Sequence, residues 1–406
     1  MTVPAGAGNT LVTRGFAGTW TDLDPVDLPP AAAVFCGSHL DALRALWASL
    51  QEGPGELLIA ARNRSEPELD AALHEAGLAI VHLDGERLSL DPAPELGPST
   101  PGRIWLLTSG STGRPKHVAH TLASLTTVGG DQPDRTWLCP YTPGSYAWWQ
   151  VVTLALANPG QNVVFIEPDE LSDWAQIAVR NGVTSISGTP TFWRQSLMHS
   201  GETVRGLDLG QATLGGEPVD QRIIDQVREA FPAARVSWIY ASSEAGASIA
   251  VHDGQAGFPV EWLDREIPGR PALSIVDDEL VIASPKRGEG IPERLHTGDR
   301  VEIRDGRVLI VGRLAQDEIN VGGAKVSAAQ VREVLLSHPG VSWAAVKGRR
   351  APLVGTIVAA DVVAADTVTE NDLSRFAAER LADYAVPRRI RLLDAIPIKE
   401  SLKSDV

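Results

Sequence analysis

The run from Thr108 to Lys116, TSGSTGRPK, sets four hydroxyl side chains, two glycines and a closing lysine behind the apolar stretch Ile104–Leu107. Glycines let a backbone approach a ligand closely and take positive φ. Successive N–H groups and hydroxyls can then form a concave cradle for an anion. A lysine at the exit adds a positive charge for a phosphate. Thr108, Ser109, Gly110, Ser111, Thr112, Gly113 and Lys116 therefore read as a polyphosphate-binding loop. It is not a Walker A sequence, because Lys116 follows Pro115 and the GxxxxGK[ST] spacing is missing. A solvated Ser/Gly linker has a similar composition, but linkers seldom follow a buried strand directly or end in Pro-Lys. No GxGxxG, HExxH or GxSxG pattern offers a competing chemistry.

Such a loop needs strands and helices to hold it. From Ala31 onward the chain alternates. AAAVFCG reads as a buried strand, LDALRALWASLQ as an amphipathic helix, ELLIAA as a strand, EPELDAALHEAG as a helix and AIVHLD as a strand. After the loop, NVVFIE, TSISGT, QATLGG and VSWIYAS read as strands, with helices in LSDWAQIAVRNG, TFWRQSLMHS and VDQRIIDQVREAF between them. Strands separated by helices predict a doubly wound, parallel sheet. The stretch from PALSIVDDELVIASP to DRVEIRDGRVLIVG changes character: short β runs broken by DD and DG turns predict a small antiparallel sheet. Beyond Gly312 a compact α+β unit is expected, with helices SAAQVREVLLSHP and ENDLSRFAAERLAD and strands WAAVKG and TIVAADVV. The fold class is α/β. Residues 1–312 form a large N-terminal domain with an irregular lead-in over 1–30, and 313–406 form a small C-terminal domain. The boundary lies in Gly312–Glu318.

Bulk composition narrows the function classes. The chain has 406 residues, 43% hydrophobic and 21% charged, with net charge −15. So acidic a chain lacks the clustered Lys and Arg that nucleic-acid phosphates or anionic membranes require. Two cysteines, Cys36 and Cys139, build neither a disulfide framework nor a zinc site, and a reducing cytosol is the simplest reading. The first residues lack a signal peptide's basic and apolar regions, and no apolar run is long enough to span a bilayer. A cytoplasmic enzyme is expected.

At this point the sequence resembles the adenylate-forming superfamily of acyl- and aryl-CoA synthetases, nonribosomal peptide adenylation domains and luciferases. TSGSTGRPK is similar to its phosphate loop. LGGEPV (Leu214–Val219), YASSEAG (Tyr240–Gly246), HTGD (His296–Asp299), the hinge stretch from Gly312 and IPIKESLK (Ile396–Lys403) resemble further motifs, in the family's order. The resemblance covers roughly Ala31 to Val406. It implies that the loop holds the ATP β/γ-phosphates, that Tyr240 stacks on adenine, and that Asp299 and Arg313 hold the ribose. Gly215, Gly216, Glu217, Ala241, Ser242 and Ser243 would line the nucleotide. Glu244, with Thr108, would bind Mg²⁺. Lys403 would be the catalytic lysine, bridging the α-phosphate oxygens while a carboxylate attacks. Rival readings stay open: Tyr240 as a core residue, Glu244 as a surface acid, Asp299 as part of a plain turn, Glu217 as a strand end, and Lys403 as a frayed tail with Lys399 competing by type.

The resemblance further implies a small acid pocket lined by Tyr146, Trp148, Trp149, Gly188, Thr189, Phe192 and Gly215. The indoles either narrow that pocket or belong to the core. No acidic residue is placed to hold an α-amino group, which disfavours an amino acid and leaves a small aryl or short-to-medium acyl acid. The acyl group would pass to CoA or to the phosphopantetheine of a carrier protein, in bacterial secondary metabolism, with Val321–Lys325 lining the channel and Asp317 a candidate hinge. Several positions depart from the family: His117 and Ala241 stand where it has Gly, as does Leu402 before Lys403. The region before the first strand is also short. An amine acceptor, amide or diazo formation, and a non-catalytic nucleotide-binding role are the alternatives. Monomer and homodimer stay equally open.

Overall fold

The computed structural model describes residues 3–51, 55–93, 99–108, 116–199, 201–314, 318–351, 355–397 and 403–404. Its architecture is mixed α/β: a large N-terminal part of parallel and mixed sheets, smaller antiparallel sheets and a C-terminal α+β part. Ala31–Cys36 and Glu56–Ala61 are short apolar runs buried nearly throughout, the pattern of central strands in a parallel sheet. They pair in parallel, and Ala79–Asp84 joins the other side of Ala31–Cys36. The helix His39–Gln51 carries the chain between the first two strands. Arg103–Thr108 extends this sheet, and antiparallel strands Arg87–Asp91 and Lys116–Thr121 close its two edges, making six strands.

A second sheet has eight strands, in the order Gly246–Val251, Arg235–Ser242, Gln211–Gly215, Ser185–Gly188, Arg135–Cys139, Gln161–Phe165, Thr10–Thr13 and Phe16–Thr19. Its six inner strands are parallel, and both edge strands are antiparallel. The helices that return the chain begin where the sequence supplies a cap. Ser145 Oγ accepts from Trp148 N ahead of Tyr146–Ala157, and Asp220 Oδ1 accepts from Ile223 N ahead of Gln221–Ala230. Side chains from both large sheets share one apolar core, with Trp148 and Trp149 fully buried in it.

One expectation is corrected here. Residues 1–30 are not an irregular lead-in throughout, because Thr10–Thr13 and Phe16–Thr19 form a hairpin at the edge of the eight-stranded sheet. Leu11 and Val12 pair in parallel with Val163 and Val164, partners too distant in sequence to leave a local signature.

The hairpins at DD and DG form as expected. Asp277 and Asp278 take φ of 49° and 62°, and Asp305 and Gly306 take 48° and 73°. Positive φ at both central residues is what a tight hairpin turn requires. They belong to a five-stranded antiparallel sheet whose long strands are Leu295–Arg304 and Arg307–Arg313. Arg313 pairs with Asp299, so this sheet runs one residue past the expected division at 312. From Glu318 on, the two-stranded hairpin Glu318–Val321 and Ala324–Ser327, a three-stranded sheet, and helices Ala328–Leu336 and Glu370–Ala378 pack around a core drawn only from residues 319–390. Among the described residues, no helix is long and apolar enough to cross a membrane.

Candidate active site

The C-terminal ends of the parallel strands, where open α/β sheets bind ligands, carry most of the expected site. Thr108 is buried at the end of its strand and pairs with Lys116 across an antiparallel hairpin. The connection 109–115, with Ser109, Gly110, Ser111, Thr112 and Gly113, lies outside the described residues. So does Asp317.

Gly215 ends the strand Gln211–Gly215, and Gly216 follows with φ +82°. A Cβ at Gly216 would stand 3.3 Å from Lys403 Cε, so glycine serves here both for its backbone angle and to admit the lysine. Lys403 is exposed to solvent, while its side chain lies against Gly216. Crowding away from water pulls its ammonium below the usual lysine range. The carboxylate of Glu217 opposes that shift, and the guanidinium of Arg313 reinforces it. The solvent exposure of Lys403 limits the effect.

Tyr240, Asp299 and Arg313 form one chain of contacts. The Tyr240 hydroxyl donates to Asp299 Oδ2 at 2.5 Å, and Arg313 Nε stands 2.9 Å from Asp299 Oδ1. Asp299 is buried, and desolvation raises its carboxyl above the ordinary aspartate value, while Tyr240 and Arg313 hold it down. The Tyr240 phenol is pushed up, first by burial and then by the Asp299 charge. The HTGD turn is braced from below. Gly298 N donates to Glu279 Oε1 at 2.7 Å, Thr297 Oγ1 donates to Leu280 O at 2.7 Å, and Arg313 Nη1 donates to Thr297 O at 2.8 Å.

A β-bulge between Tyr240 and Ala241 shifts the register of the strand Arg235–Ser242 just before the turn that carries Glu244, a feature that re-aims side chains. Ser242 Oγ accepts from Ala245 N at 2.9 Å and tightens the turn. Glu244 is half-buried, and its backbone carbonyl accepts from Gly288 N at 2.9 Å. Among the described residues no group of three His, Cys, Asp or Glu side chains could cage a metal. A single carboxylate suits Mg²⁺ shared with substrate phosphates rather than an all-protein site.

Two expectations shift. Glu217 does not point a free carboxylate at the nucleotide: Thr191 N and Oγ1 and Ser404 N and Oγ all bond to it, at 2.8 to 3.1 Å. Trp149 is wholly buried and packs edge-on against Trp148 at 5.1 Å, so it belongs to the core rather than to an open pocket wall. Of the other acid-pocket candidates, Gly188 has Phe192 so close that a Cβ would stand 2.4 Å from Phe192 Cδ1, and Thr189 Oγ1 accepts from Phe192 N at 3.0 Å. Tyr146 is half-buried, its hydroxyl has no hydrogen-bond partner among the described residues, and burial pushes that phenol up.

Residues that local sequence reading missed are Ser404, Glu279 and His120, and Thr191 is expected only as part of the acid-pocket run Gly188–Phe192. His120 is buried, with Nε2 2.7 Å from Ser243 O and Nδ1 2.9 Å from Ser124 Oγ, tying the strand Lys116–Thr121 to the Glu244 turn. A histidine directly after the apolar pair Val118–Ala119 was the only local signal.

Residues 40–298 match the family described as AMP-binding enzyme, and residues 330–403 match the AMP-binding enzyme C-terminal domain. A 2-succinylbenzoate–CoA ligase of Bacillus cytotoxicus is 29% identical over 330 residues, covering 73% of this chain and 67% of that protein. The anthranilate CoA ligase AuaEII, solved with anthranoyl-AMP, superposes with TM-score 0.75 at 17% identity, covering 100% of this chain and 93% of that one. The amide bond synthetase McbA of Marinactinospora thermotolerans does so at 0.69 and 22% identity, covering 98% and 96%. At such identities the superpositions speak for the fold.

Proposed function

The chain belongs to the AMP-binding enzyme family, and on that premise we propose that it joins a small aryl or short-to-medium acyl carboxylic acid to a thiol through an acyl-adenylate. As a member, it is an adenylate-forming ligase of the acyl-CoA synthetase type. ATP and CoA are its proposed substrates, with a carrier-protein phosphopantetheine as the alternative thiol. The aryl side of the reading draws on the relatives, which are named for 2-succinylbenzoate and anthranilate. A cytoplasmic setting and a role in bacterial secondary metabolism go with this reading.

In the first step a carboxylate oxygen attacks the α-phosphorus, and the bond from that phosphorus to the α,β-bridging oxygen breaks to release pyrophosphate. Lys403 is the proposed catalytic group. Its ammonium, lying over Gly216, offsets charge that builds on the α-phosphate oxygens. Tyr240 supplies a ring face for adenine, and Asp299 with Arg313 supplies acceptor and donor for the ribose hydroxyls. Thr108, Lys116 and the intervening loop would receive the β/γ-phosphates. Glu244 would hold Mg²⁺, which when bound neutralises the leaving pyrophosphate. The observation that carries this reading is the meeting of Lys403 with Gly216 beside the Tyr240–Asp299–Arg313 chain, from segments far apart in sequence. In the second step the thiol sulfur attacks the acyl carbon and AMP leaves. The division into residues 1–312 and 313–406 is proposed on the separate core of residues 319–390.

Pyrophosphate exchange over a panel of aryl and acyl acids tests the first step. One or a few acids should support it; exchange with none, despite ATP binding, contradicts the reading. Offering CoA, a carrier protein and amines in turn then identifies the acceptor. Amide formation without thioester would replace the thiol in the account.

A further inference from the structure

Glu217 follows the strand Gln211–Gly215, and its carboxylate gathers two segments 213 positions apart in the chain. Thr191 N donates to Oε2 at 2.9 Å, and Thr191 Oγ1 donates to Oε1 at 3.0 Å. Ser404 N and Ser404 Oγ donate to Oε1 at 2.8 and 3.1 Å. The two hydroxyls also lie 3.0 Å apart, so either can pass its bond through the other. Thr191 and Ser404 are both buried. Hydrogen bonds to an ionised acceptor are stronger than neutral ones, and water cannot readily replace them where donors are buried.

Lys403 is the residue immediately before Ser404, and its side chain lies against Gly216, the residue immediately before Glu217. A lysine on a free tail loses much rotamer freedom when it is held in one place. Clamping the next residue's backbone and side chain removes part of that loss before substrate arrives.

We propose that Glu217, Thr191 and Ser404 form a latch that holds Lys403 at the α-phosphate position. Glu217 and Ser404 are positioning residues for adenylation, and the latched tail is the adenylating state. This rests on Lys403 as the catalytic lysine.

The test uses the full chain in two measurements. The first needs no substrate: hydrogen exchange of the Ser404 amide, followed in the C-terminal peptide. In the parent protein this amide is protected; Glu217→Gln removes the charged acceptor, and the amide exchanges about tenfold faster or more, as expected for loss of a charge-assisted bond. The second is pyrophosphate exchange with anthranilate or 2-succinylbenzoate. Ser404→Ala lowers kcat about tenfold, the worth of one bond to a charged acceptor, with KM for ATP unchanged. Ser404→Thr, which keeps the hydroxyl, restores most of it. If Glu217→Gln does not fold, the amide protection of Ser404 in the parent chain and the Ser404 pair of variants decide. An unprotected Ser404 amide overturns the latch. So does parental kcat in Ser404→Ala while Lys403→Ala abolishes exchange. Parental exchange in Lys403→Ala instead overturns the reading beneath it.

Discussion

Asp299 holds a carboxylate where burial disfavours charge, and Tyr240 and Arg313 offset that cost. Tyr240→Phe should weaken ATP binding about tenfold, since a bond to a charged group is worth about 1.5–3 kcal/mol. It should also move the acid limb of ATP binding to higher pH, because the lost donor was lowering the Asp299 carboxyl. Titration of ATP affinity against pH in both proteins checks both effects. His39 gives a second titration, one of stability. It is fully buried, donating from Nε2 to Ile166 O and accepting at Nδ1 from Trp148 Nε1, and its imidazolium is disfavoured down to about 4. The unfolded chain binds this proton from about pH 6.5 downward, while the folded chain resists it. Stability should therefore fall as pH drops from about 6.5 to 4, by about 3 kcal/mol from this group. Denaturant melts at several pH values should show that slope in the parent and a smaller one in His39→Gln. Tyr240, Asp299 and Arg313 were legible because each sits in a compact motif. Glu279, which bonds Gly298 N from a neighbouring strand, was not, since nothing local to it marks the contact.

The strands that carry the site were read well because burial on both faces leaves an uninterrupted apolar run, as in AAAVFC and ELLIAA. Thr10–Thr13 was missed because TLVT is only four residues long and its order comes from Gln161–Phe165, far along the chain. The same distance hid Glu217. GGE at a strand end suggests a nucleotide contact, and only folding brings Ser404 to it across 187 positions. Gly216 is where an element end meets function. Gly216→Ala should cost about 1–2 kcal/mol for a left-handed backbone and displace Lys403, lowering kcat for adenylation more than it raises KM. Steady-state exchange kinetics beside a thermal melt would separate the two costs.

At the level of the full chain, arginines of the large part bridge to the C-terminal part. Arg222, on the helix Gln221–Ala230, donates to the carbonyls of Leu336, His338 and Pro339 at 2.6, 3.0 and 2.9 Å, at the C-terminal end of the helix Ala328–Leu336. Arg304 reaches Glu333 on that helix at 2.7 Å. A cation there satisfies carbonyls that a helix end leaves open. Arg222→Ala should speed hydrogen exchange around residues 336–339 and slow adenylation several-fold, roughly the effect of 1 kcal/mol, while circular dichroism stays unchanged. Adenylation depends most on the segment that crosses between these parts and delivers Lys403 to Gly216. The direct measurement is acid-dependent pyrophosphate exchange and ATP binding in the parent protein and in Lys403→Ala. Exchange in the variant should drop by at least about a hundredfold, the scale of losing a transition-state charge partner, with ATP affinity preserved. Exchange at the parental rate in Lys403→Ala would contradict the catalytic role of Lys403.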